Sequence, residues 1–178
     1  MPCSDAENRP VLHDLLKKVL RPGCRILEAG IGYGDIGSLV REIGKRKGLG
    51  FNDIDLVGVE IWEPYLQEKC LTKVYSQIIL GDIREIFPQI SDKYFDLVLL
   101  IDILEHFERN EGMEVLRQAE RIGKMVVVCV PIIDYPQGPV HGNPHEVHKA
   151  QWKVSELEKL GYETVFAGKV VGVFVKNP

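Results

Sequence analysis

The stretch Glu28-Ala29-Gly30-Ile31-Gly32-Tyr33-Gly34 decides the fold of this 178-residue chain. The strand-like run Arg25–Ala29 leads into this stretch, and an apolar stripe at helical spacing over 36–43 comes after it. Glycines at alternate positions let a backbone turn sharply and approach a ligand without a Cβ in the way. A strand, a glycine-rich turn and a helix in this order predict a ligand loop at the edge of an α/β sheet.

Strands and helices alternate along the rest of the chain. Hydrophobic periodicity predicts helices over 11–20, 36–43, 64–71, 83–90, 112–122 and 154–160. Strands are predicted over 25–29, 55–60, 74–80, 95–101, 125–130, 162–167 and 170–176. The last two strands have almost no linker, so we expect an antiparallel hairpin around Gly168. The predicted fold class is α/β, a doubly wound, Rossmann-like sheet of seven mostly parallel strands that ends in this hairpin.

Length and composition limit the chain to one compact domain. With 178 residues, of which 45% are hydrophobic and 27% charged, it has room for one core and hardly for two. Residues 1–9 are polar without periodicity and are predicted to be disordered, so the single domain is expected over 10–178. The irregular stretch 131–150 is too long for a plain connection and is expected to carry function.

Charge and cysteine content limit the partners and the compartment. The formal net charge of −4 argues against nucleic acid and anionic membranes as partners. No apolar stretch approaches the roughly 20 residues that span a bilayer, and a signal-peptide pattern is absent. The four cysteines have no metal-ligand spacing. These features favour a reduced, cytoplasmic protein that acts as a monomer or homodimer.

Acidic residues follow three successive predicted strands. Glu28 precedes the glycines, Glu60 ends the second strand, and Asp82 follows the third. Because the carboxyl ends of parallel strands meet at one edge, we expect these carboxylates to surround one ligand. Glu28 suits an amine-bearing cation, Glu60 can accept both hydroxyls of a ribose, and Asp82 can accept from an adenine amino group. Ile83 would then pack against the adenine ring.

The same loop also matches the dinucleotide fingerprint. Gly32-Tyr33-Gly34-Asp35-Ile36-Gly37 has the spacing GxGxxG, and Glu60 fits NAD equally well. A NAD-dependent oxidoreductase therefore stays open as an alternative. Glu28 argues against it, because a carboxylate there repels a pyrophosphate. The terminal hairpin and the short chain, which has no room for a second substrate-binding domain, argue against it too.

Together these features resemble the class I S-adenosylmethionine-dependent methyltransferases, particularly the small single-domain kind. The resemblance covers Val11 to Lys176 and rests on the loop 28–34, Glu60, Gly81-Asp82 and the run 95–102. It implies S-adenosylmethionine as cofactor and S-adenosylhomocysteine as product. The implied cofactor-binding residues are Glu28, Gly30, Gly32, Gly34, Glu60, Ile61, Asp82, Ile83, Ile101 and Asp102.

The segment after the fourth predicted strand supplies the candidate catalytic residues. Methyl transfer is an in-line displacement, so alignment and desolvation supply most of the catalysis, and only a hydroxyl or charged amine needs a base. His106 is the predicted base, because its pKa range allows proton uptake near neutrality, and Asp102 is the second predicted catalytic residue. Relatives that methylate planar amides or base amines carry a D/N-P-P-Y/F sequence here. This chain lacks it.

The irregular loop supplies candidate acceptor-binding residues, which are His141, His145, His148 and Trp152. The segment His148–Trp152 also looks, more distantly, like part of the metal-assisted O-methyltransferases of small RNAs and quinones. That likeness implies a metal site at Glu105, His106 and His148 beside Asp102. A Glu-His turn is common in metal-free relatives, however, and the expectation is that no metal is used.

The overall interpretation is O-methylation of a small polar acceptor, such as a sugar or another metabolite. N-methylation is a weaker possibility. Three alternatives stay open: a metal-assisted RNA or quinone O-methyltransferase, a NAD-dependent oxidoreductase, and a non-catalytic adenosyl-binding module. The fold alone does not choose the acceptor, because this kind of fold serves many of them.

Overall fold

The computed structural model of the protein describes residues 6–67 and 70–178. Its helices are α1 (Arg9–Val19), α2 (Asp35–Arg46), α3 (Glu63–Gln67), α4 (Ile83–Ile86), α5 (Arg109–Ile122) and α6 (Val154–Lys159). Its strands are β1 (Cys24–Ala29), β2 (Ile54–Glu60), β3 (Gln77–Leu80), β4 (Leu97–Ile101), β5 (Val126–Pro131), β6 (Glu163–Ala167) and β7 (Val171–Lys176).

All seven strands form one sheet in the order β3-β2-β1-β4-β5-β7-β6. Strands β1 to β5 pair in parallel, and β7 runs antiparallel to both β5 and β6. The predicted seven-stranded α/β fold with its terminal hairpin is therefore confirmed. The strand order reverses between β1 and β4, which places a crevice at their carboxyl ends. Within the described part of the chain, no helix is long and apolar enough to cross a membrane.

The core has one apolar layer on each face of the sheet. Successive residues of a strand point to opposite faces, and Ile26 and Leu27 of β1 are both fully buried. One layer contains the apolar stripes of α1 and α2, and the other contains that of α5. This arrangement explains why the central strands are continuously apolar in sequence.

A buried carboxylate at the start of β4 ties three elements together. Asp96 accepts hydrogen bonds from Arg21 Nη2 at 3.0 Å, Arg25 N at 3.0 Å and Lys124 Nζ at 2.9 Å. Arg21 follows α1, Arg25 lies in β1, and Lys124 precedes β5. Burial acts to raise the pKa of Asp96, but these donors outweigh it and lower the pKa to about 2.

The predicted disorder of residues 1–9 is wrong for residues 6–9, while residues 1–5 lie outside the described part. A 3₁₀ turn over Ala6–Asn8 leads directly into α1. The carboxylate of Glu7 accepts from the backbone N–H groups of Lys169 and Val170, at 2.9 and 3.2 Å. Asn8 is fully buried and donates to Cys129 Sγ at 3.1 Å. These polar side chains order the segment because they satisfy groups at the distant β6–β7 turn and in β5.

Strand β3 is shorter than predicted. The apolar run 74–80 suggested one strand, but only Gln77–Leu80 pairs with β2. Tyr75 instead lies in a turn, where its N–H donates to Leu71 O at 2.8 Å and its side chain is buried. The apolar pattern at Tyr75 therefore reflects burial of its side chain beneath the crevice, and not pairing with β2.

Replacing Asp96 by Asn should lower the free energy of unfolding at pH 7 by about 1–3 kcal/mol, because charge-assisted hydrogen bonds are lost. The pKa of Asp96 is about 2 in the folded protein and 3.8 as the ordinary value. Its stabilising effect should therefore be complete above about pH 5 and disappear as the pH falls towards 2. Urea unfolding measured between pH 2.5 and 7 checks both statements.

Asp92→Asn is the matched control for Asp96→Asn. The Asp92 carboxylate pairs with Arg121 on the surface, where its side chain is 76% exposed. An exposed pair contributes roughly 0–1 kcal/mol. Equal losses of stability in the two variants would contradict the anchoring role of Asp96.

Candidate active site

A cleft opens at the carboxyl ends of β1, β2 and β4, where the strand order reverses. Its walls come from the turns after these strands and from the long loop 131–150. The structure brings many of the predicted site residues together in this cleft: Glu28, Gly30, Gly32, Glu60, Ile61, Ile101, Asp102, Glu105, His106, His145 and His148.

The glycine loop places backbone N–H groups at the floor of the cleft. Gly32 has a φ of +49°, in the left-handed region, and its N–H donates to Glu60 Oε2 at 2.8 Å. A Cβ built on Gly32 would meet no protein atom within 4 Å. The left-handed φ therefore favours glycine at this position, and the missing side chain leaves the Gly32 backbone open to the cleft.

Glu60 joins the turns that follow β1 and β2. It is 4% exposed, and its second carboxylate oxygen accepts from Trp62 N at 2.8 Å. Burial raises the pKa of Glu60, while the hydrogen bonds from the backbone of Trp62 and Gly32 act to lower it. A third backbone hydrogen bond, from Ile61, also acts to lower the pKa of Glu60.

Glu28 is buried beneath the glycine loop, and Tyr75 Oη donates to its Oε2 at 2.9 Å. Burial raises the pKa of Glu28 to about 8, although the Tyr75 hydrogen bond acts to lower it. Sequence reasoning missed Tyr75. The available signal was glycine at Gly37 in α2 and Gly58 in β2, where a Cβ would lie 2.4 Å from Tyr75 Oη and 2.9 Å from its ring.

Asp82 and Ile83 lie outside the lining of the cleft. Asp82 caps α4 by accepting from Arg84 N at 2.8 Å, and its carboxylate also pairs with the Arg84 guanidinium. Burial acts to raise the pKa of Asp82, but the bonds from Arg84 outweigh it and lower the pKa. Ile83 is buried in the core layer beneath α4. Their predicted contacts with an adenine ring therefore stay predictions.

The prediction that Trp152 binds the acceptor is wrong. Trp152 is fully buried, and a Cβ on Gly112 of α5 would lie 2.7 Å from its Cζ2. The Arg109 guanidinium covers the ring at 3.9 Å from its centroid. Trp152 fixes the end of the long loop on α5 and offers no surface to a ligand. His141, also predicted to bind the acceptor, is exposed and does not line the cleft. Gly34, predicted to bind the cofactor, caps α2 outside the lining of the cleft, and a Cβ built on it would lie 2.6 Å from the Leu71 side chain.

The long loop folds over the cleft and forms its roof. Glu146, 9% exposed, accepts from Tyr65 Oη at 2.8 Å. The Glu146 carbonyl accepts from Gln137 Nε2 at 2.8 Å. Further along, Lys149 N and Ala150 N donate to the Glu105 carbonyl, at 2.7 and 3.2 Å. The roof, defined here as residues 131–150, is thus fixed to α3 and to the turn after β4, and sequence reasoning identified neither Tyr65 nor Glu146.

The turn after β4 carries the predicted catalytic residues. Asp102 has a φ of +50°, and a 3₁₀ turn over Leu104–His106 follows it. The His106 and His148 rings lie 5.0 Å apart between centroids. Burial, reinforced by His148, lowers the pKa of His106 to about 4. Burial, reinforced by Asp102, raises the pKa of Glu105 well above its usual range. His106 is therefore neutral at pH 7, as a base must be, but it holds a proton less readily than the ordinary pKa range used to predict its role.

A family model described as "Methionine biosynthesis protein MetW" matches residues 11–137. The chain belongs to the MetW family. This is an S-adenosylmethionine-dependent methyltransferase-like family, so the resemblance inferred from the loop and its acids is confirmed. The match includes the glycine loop and the turn after β4. It ends before His145 and His148 of the roof.

Solved structures share the fold of this MetW-family chain. The PH0226 protein from Pyrococcus horikoshii OT3 has a TM-score of 0.68 and 22% identity over 98% of this chain and 92% of that one. An S-adenosylmethionine-dependent methyltransferase from Archaeoglobus fulgidus has a TM-score of 0.58 and 18% identity over 92% and 93%. The N-terminal domain of EvdMO1, with S-adenosylhomocysteine bound, has a TM-score of 0.65 and 15% identity over 97% and 80%. No curated protein sequence matches the chain.

Glu28→Gln should remove a pH-dependent loss of stability. Glu28 keeps its proton up to a pKa of about 8 when folded, against an ordinary value of 4.5. The folded state binds more protons between these values, so the free energy of unfolding falls as the pH rises from about 4.5 to 8. The free energy of unfolding of the variant, relative to that of the wild type, should therefore rise by on the order of 2 kcal/mol between pH 5 and 8.

Urea unfolding at half-unit pH intervals, without ligand, measures this difference for Glu28→Gln. Glu42→Gln is the control, because Glu42 lies on the exposed face of α2 with a side chain that is 56% exposed. Its stability curve should run parallel to that of the wild type. Parallel curves for Glu28→Gln as well would show that the buried carboxyl does not titrate in this range.

Proposed function

We propose that the protein is a methyltransferase that binds S-adenosylmethionine in the cleft and methylates an oxygen of a small polar acceptor. The observation that carries this proposal is the pair of buried acids, Glu28 and Glu60, that line one cleft together with the glycine loop. Two acids in one cleft suit a ligand that carries both an ammonium group and a ribose. The family and the fold of the chain support the same ligand.

The chain's residues divide the binding work as follows. Glu28 receives the ammonium group, which replaces the proton that burial otherwise keeps on this carboxyl. Glu60 accepts from the ribose hydroxyls while it holds the two turns in place through Gly32 and Trp62. Ile101 and Asp102 border the methionine end. This division explains why two acidic side chains are kept in a buried position at the sheet edge.

NAD fits the cleft less well than an adenosyl ligand. The pyrophosphate of a dinucleotide would lie against the loop at Gly30 and Gly32 and would need its backbone N–H groups. The Gly32 N–H already donates to Glu60 Oε2 and is not available to a phosphate oxygen.

Catalysis depends mainly on alignment in the roofed cleft. Bound S-adenosylmethionine supplies a methyl group on a positively charged sulfur. His106 stands at the methyl end and accepts the hydroxyl proton as the acceptor oxygen bonds to the methyl carbon and the carbon–sulfur bond breaks. Asp102 lies next to this reaction zone. The roof excludes water, which strengthens these interactions.

A small polar acceptor suits the walls beside His106. Tyr135, Gln137 and His148 line this side of the cleft and offer hydroxyl, amide and imidazole groups. The structure of the EvdMO1 N-terminal domain was determined in the presence of S-adenosylhomocysteine and D-fucose, which makes a sugar a suitable first test compound. The net charge of −4 disfavours RNA as acceptor.

A second candidate is a binding module that senses S-adenosylmethionine without turning it over. The description of the family as a methionine biosynthesis protein favours it. S-adenosylmethionine is made from methionine, so a protein that binds it can report how much methionine is available. This candidate uses Glu28 and Glu60 in the same way but gives His106 no chemical task.

Gly32→Ala should weaken S-adenosylhomocysteine binding at least 10-fold, because the added methyl group occupies space that the ligand needs. Gly23→Ala is the matched control. Gly23 also has a left-handed φ, +76° against +49° for Gly32, with no atom within 4 Å of a built Cβ, but it lies outside the cleft. Both variants should lose about 1 kcal/mol of folding stability, and only Gly32→Ala should lose affinity.

Ligand-induced thermal stabilisation measures this effect, with S-adenosylmethionine, S-adenosylhomocysteine and NAD tested in parallel. Stabilisation of the wild type by both adenosyl ligands and not by NAD is expected. A shift with NAD alone would sink the proposal. Equal affinities of Gly32→Ala and Gly23→Ala would instead place the ligand away from the glycine loop.

His106→Gln should abolish methyl transfer while leaving S-adenosylhomocysteine binding intact. A base of this kind contributes roughly 10²–10⁴-fold to a transfer step. The assay incubates methyl-labelled S-adenosylmethionine with deoxysugars and with filtered small-molecule cell extract, and counts label in products other than the cofactor. Wild-type binding without any labelled product would favour the sensing module.

A further inference from the structure

We propose that Glu105, His106 and His148 bind a divalent transition-metal ion, Zn²⁺ in type, in a wall shared by the cleft and a second cavity. The sequence alone favoured a metal-free protein, because a Glu-His turn is common without metal. The structure brings His148, which lies 42 positions after His106 in the sequence, to this turn through the roof.

The three side chains already stand close enough for one ion. A carboxylate oxygen of Glu105 and one ring nitrogen from each histidine all lie within 4.8 Å of one another. Zn²⁺ bonds to such ligands at about 2.0–2.2 Å, so donors around a tetrahedral ion lie roughly 3.4 Å apart. Small side-chain rotations close the remaining gap.

Both imidazoles are oriented for metal binding by backbone carbonyls. His106 Nδ1 lies 3.3 Å from Val147 O, and His148 Nδ1 lies 2.6 Å from Tyr135 O. A carbonyl only accepts, so each Nδ1 carries the proton and each Nε2 keeps its lone pair. Histidine ligands are typically held in this way, through a hydrogen bond from the nitrogen that does not bind the metal.

Glu105 supplies an independent reason for a cation. Its side chain is 3% exposed, and its buried Oε2 has no hydrogen-bond partner. The carboxylates of Asp102 and Glu146 also act on Glu105. A buried oxygen without a partner is costly, and a metal ion would satisfy it.

The position of the cluster relates the ion to the acceptor. A second cavity is lined by Ile133, Asp134, Tyr135 and Lys149, among others, and it shares Glu105 and His148 with the cleft. Three protein ligands leave an open coordination position, as catalytic zinc sites do. An acceptor hydroxyl that enters through the second cavity would fill that position. Because the ion position also borders the cleft, the hydroxyl would then face the methyl group there.

This acceptor role rests on the proposed function, whereas the metal site itself does not. An ion lowers the pKa of a bound hydroxyl. The hydroxyl proton then leaves to water, the oxygen bonds to the methyl carbon, and the electrons of the carbon–sulfur bond stay on sulfur. His106 is a ligand in this arrangement, so the ion takes over the task otherwise given to its imidazole.

The test titrates chelator-treated protein with Zn²⁺, Co²⁺ and Mg²⁺, without S-adenosylmethionine or acceptor. We expect one equivalent of Zn²⁺ or Co²⁺ to bind and raise the melting temperature, and Co²⁺ to give visible absorption bands. Mg²⁺ should bind at least 10-fold more weakly, because it prefers oxygen ligands. Glu105→Gln and His148→Ala should each lower Zn²⁺ affinity at least 10-fold, while His13→Ala, on α1, should match the wild type.

Zn²⁺ binding that is equal in His148→Ala and in the wild type, or that is lost in His13→Ala, would overturn the site. Equal affinity for Mg²⁺ would overturn the ligand set. Circular dichroism checks the fold of Glu105→Gln, and His148→Ala carries the test if that variant does not fold. S-adenosylhomocysteine binding by the metal-free protein is measured separately. Its loss would count against the proposed function, whereas its persistence without zinc binding would count against the metal site only.

Discussion

Buried carboxylates at the carboxyl edge of the sheet need partners, and the surrounding structure supplies them. Glu60 takes backbone N–H groups from two turns, and Glu28 takes the hydroxyl of Tyr75. Glu146 takes the hydroxyl of Tyr65, which fastens the roof. Glu105 is the member of this set with an oxygen left unsatisfied. The hydrogen bonds of these acids therefore hold the turns and the roof around the cleft without a ligand.

Asp96 shows the opposite solution at the other end of the sheet. Its three donors are protein groups, two of them cationic, so its pKa falls to about 2 and its charge is permanent. Glu28 has one neutral donor, and its pKa rises to about 8. The contrast separates a structural carboxylate from one that is left for a cation to complete. Both types are buried acids next to strands in the sequence, and only their partners distinguish them.

The sequence predicted features that depend on neighbours in the chain, and it missed those that depend on distant contacts. The alternation of strands and helices, the terminal hairpin and the glycine loop follow from local periodicity and turn residues. The ordering of Glu7 depends on the β6–β7 turn 162 residues away. Trp152 looked like a ligand contact because it follows a histidine-rich loop, yet the gap left by Gly112 buries it. Tyr75 was assigned to a strand because burial and pairing leave the same apolar pattern.

The family match ends within the roof, so one part of the cleft lies inside the match and another lies beyond it. Residues 11–137 include the glycine loop, Glu60 and the turn with His106. The rest of the roof, with His145 and His148, lies beyond the match. The roof nevertheless determines which groups face the methyl end, because the Glu105 carbonyl fixes Lys149 and Ala150 there. In the proposed function, the part shared with the family binds the cofactor, and the acceptor is selected by a loop whose position the Glu105 carbonyl helps to fix.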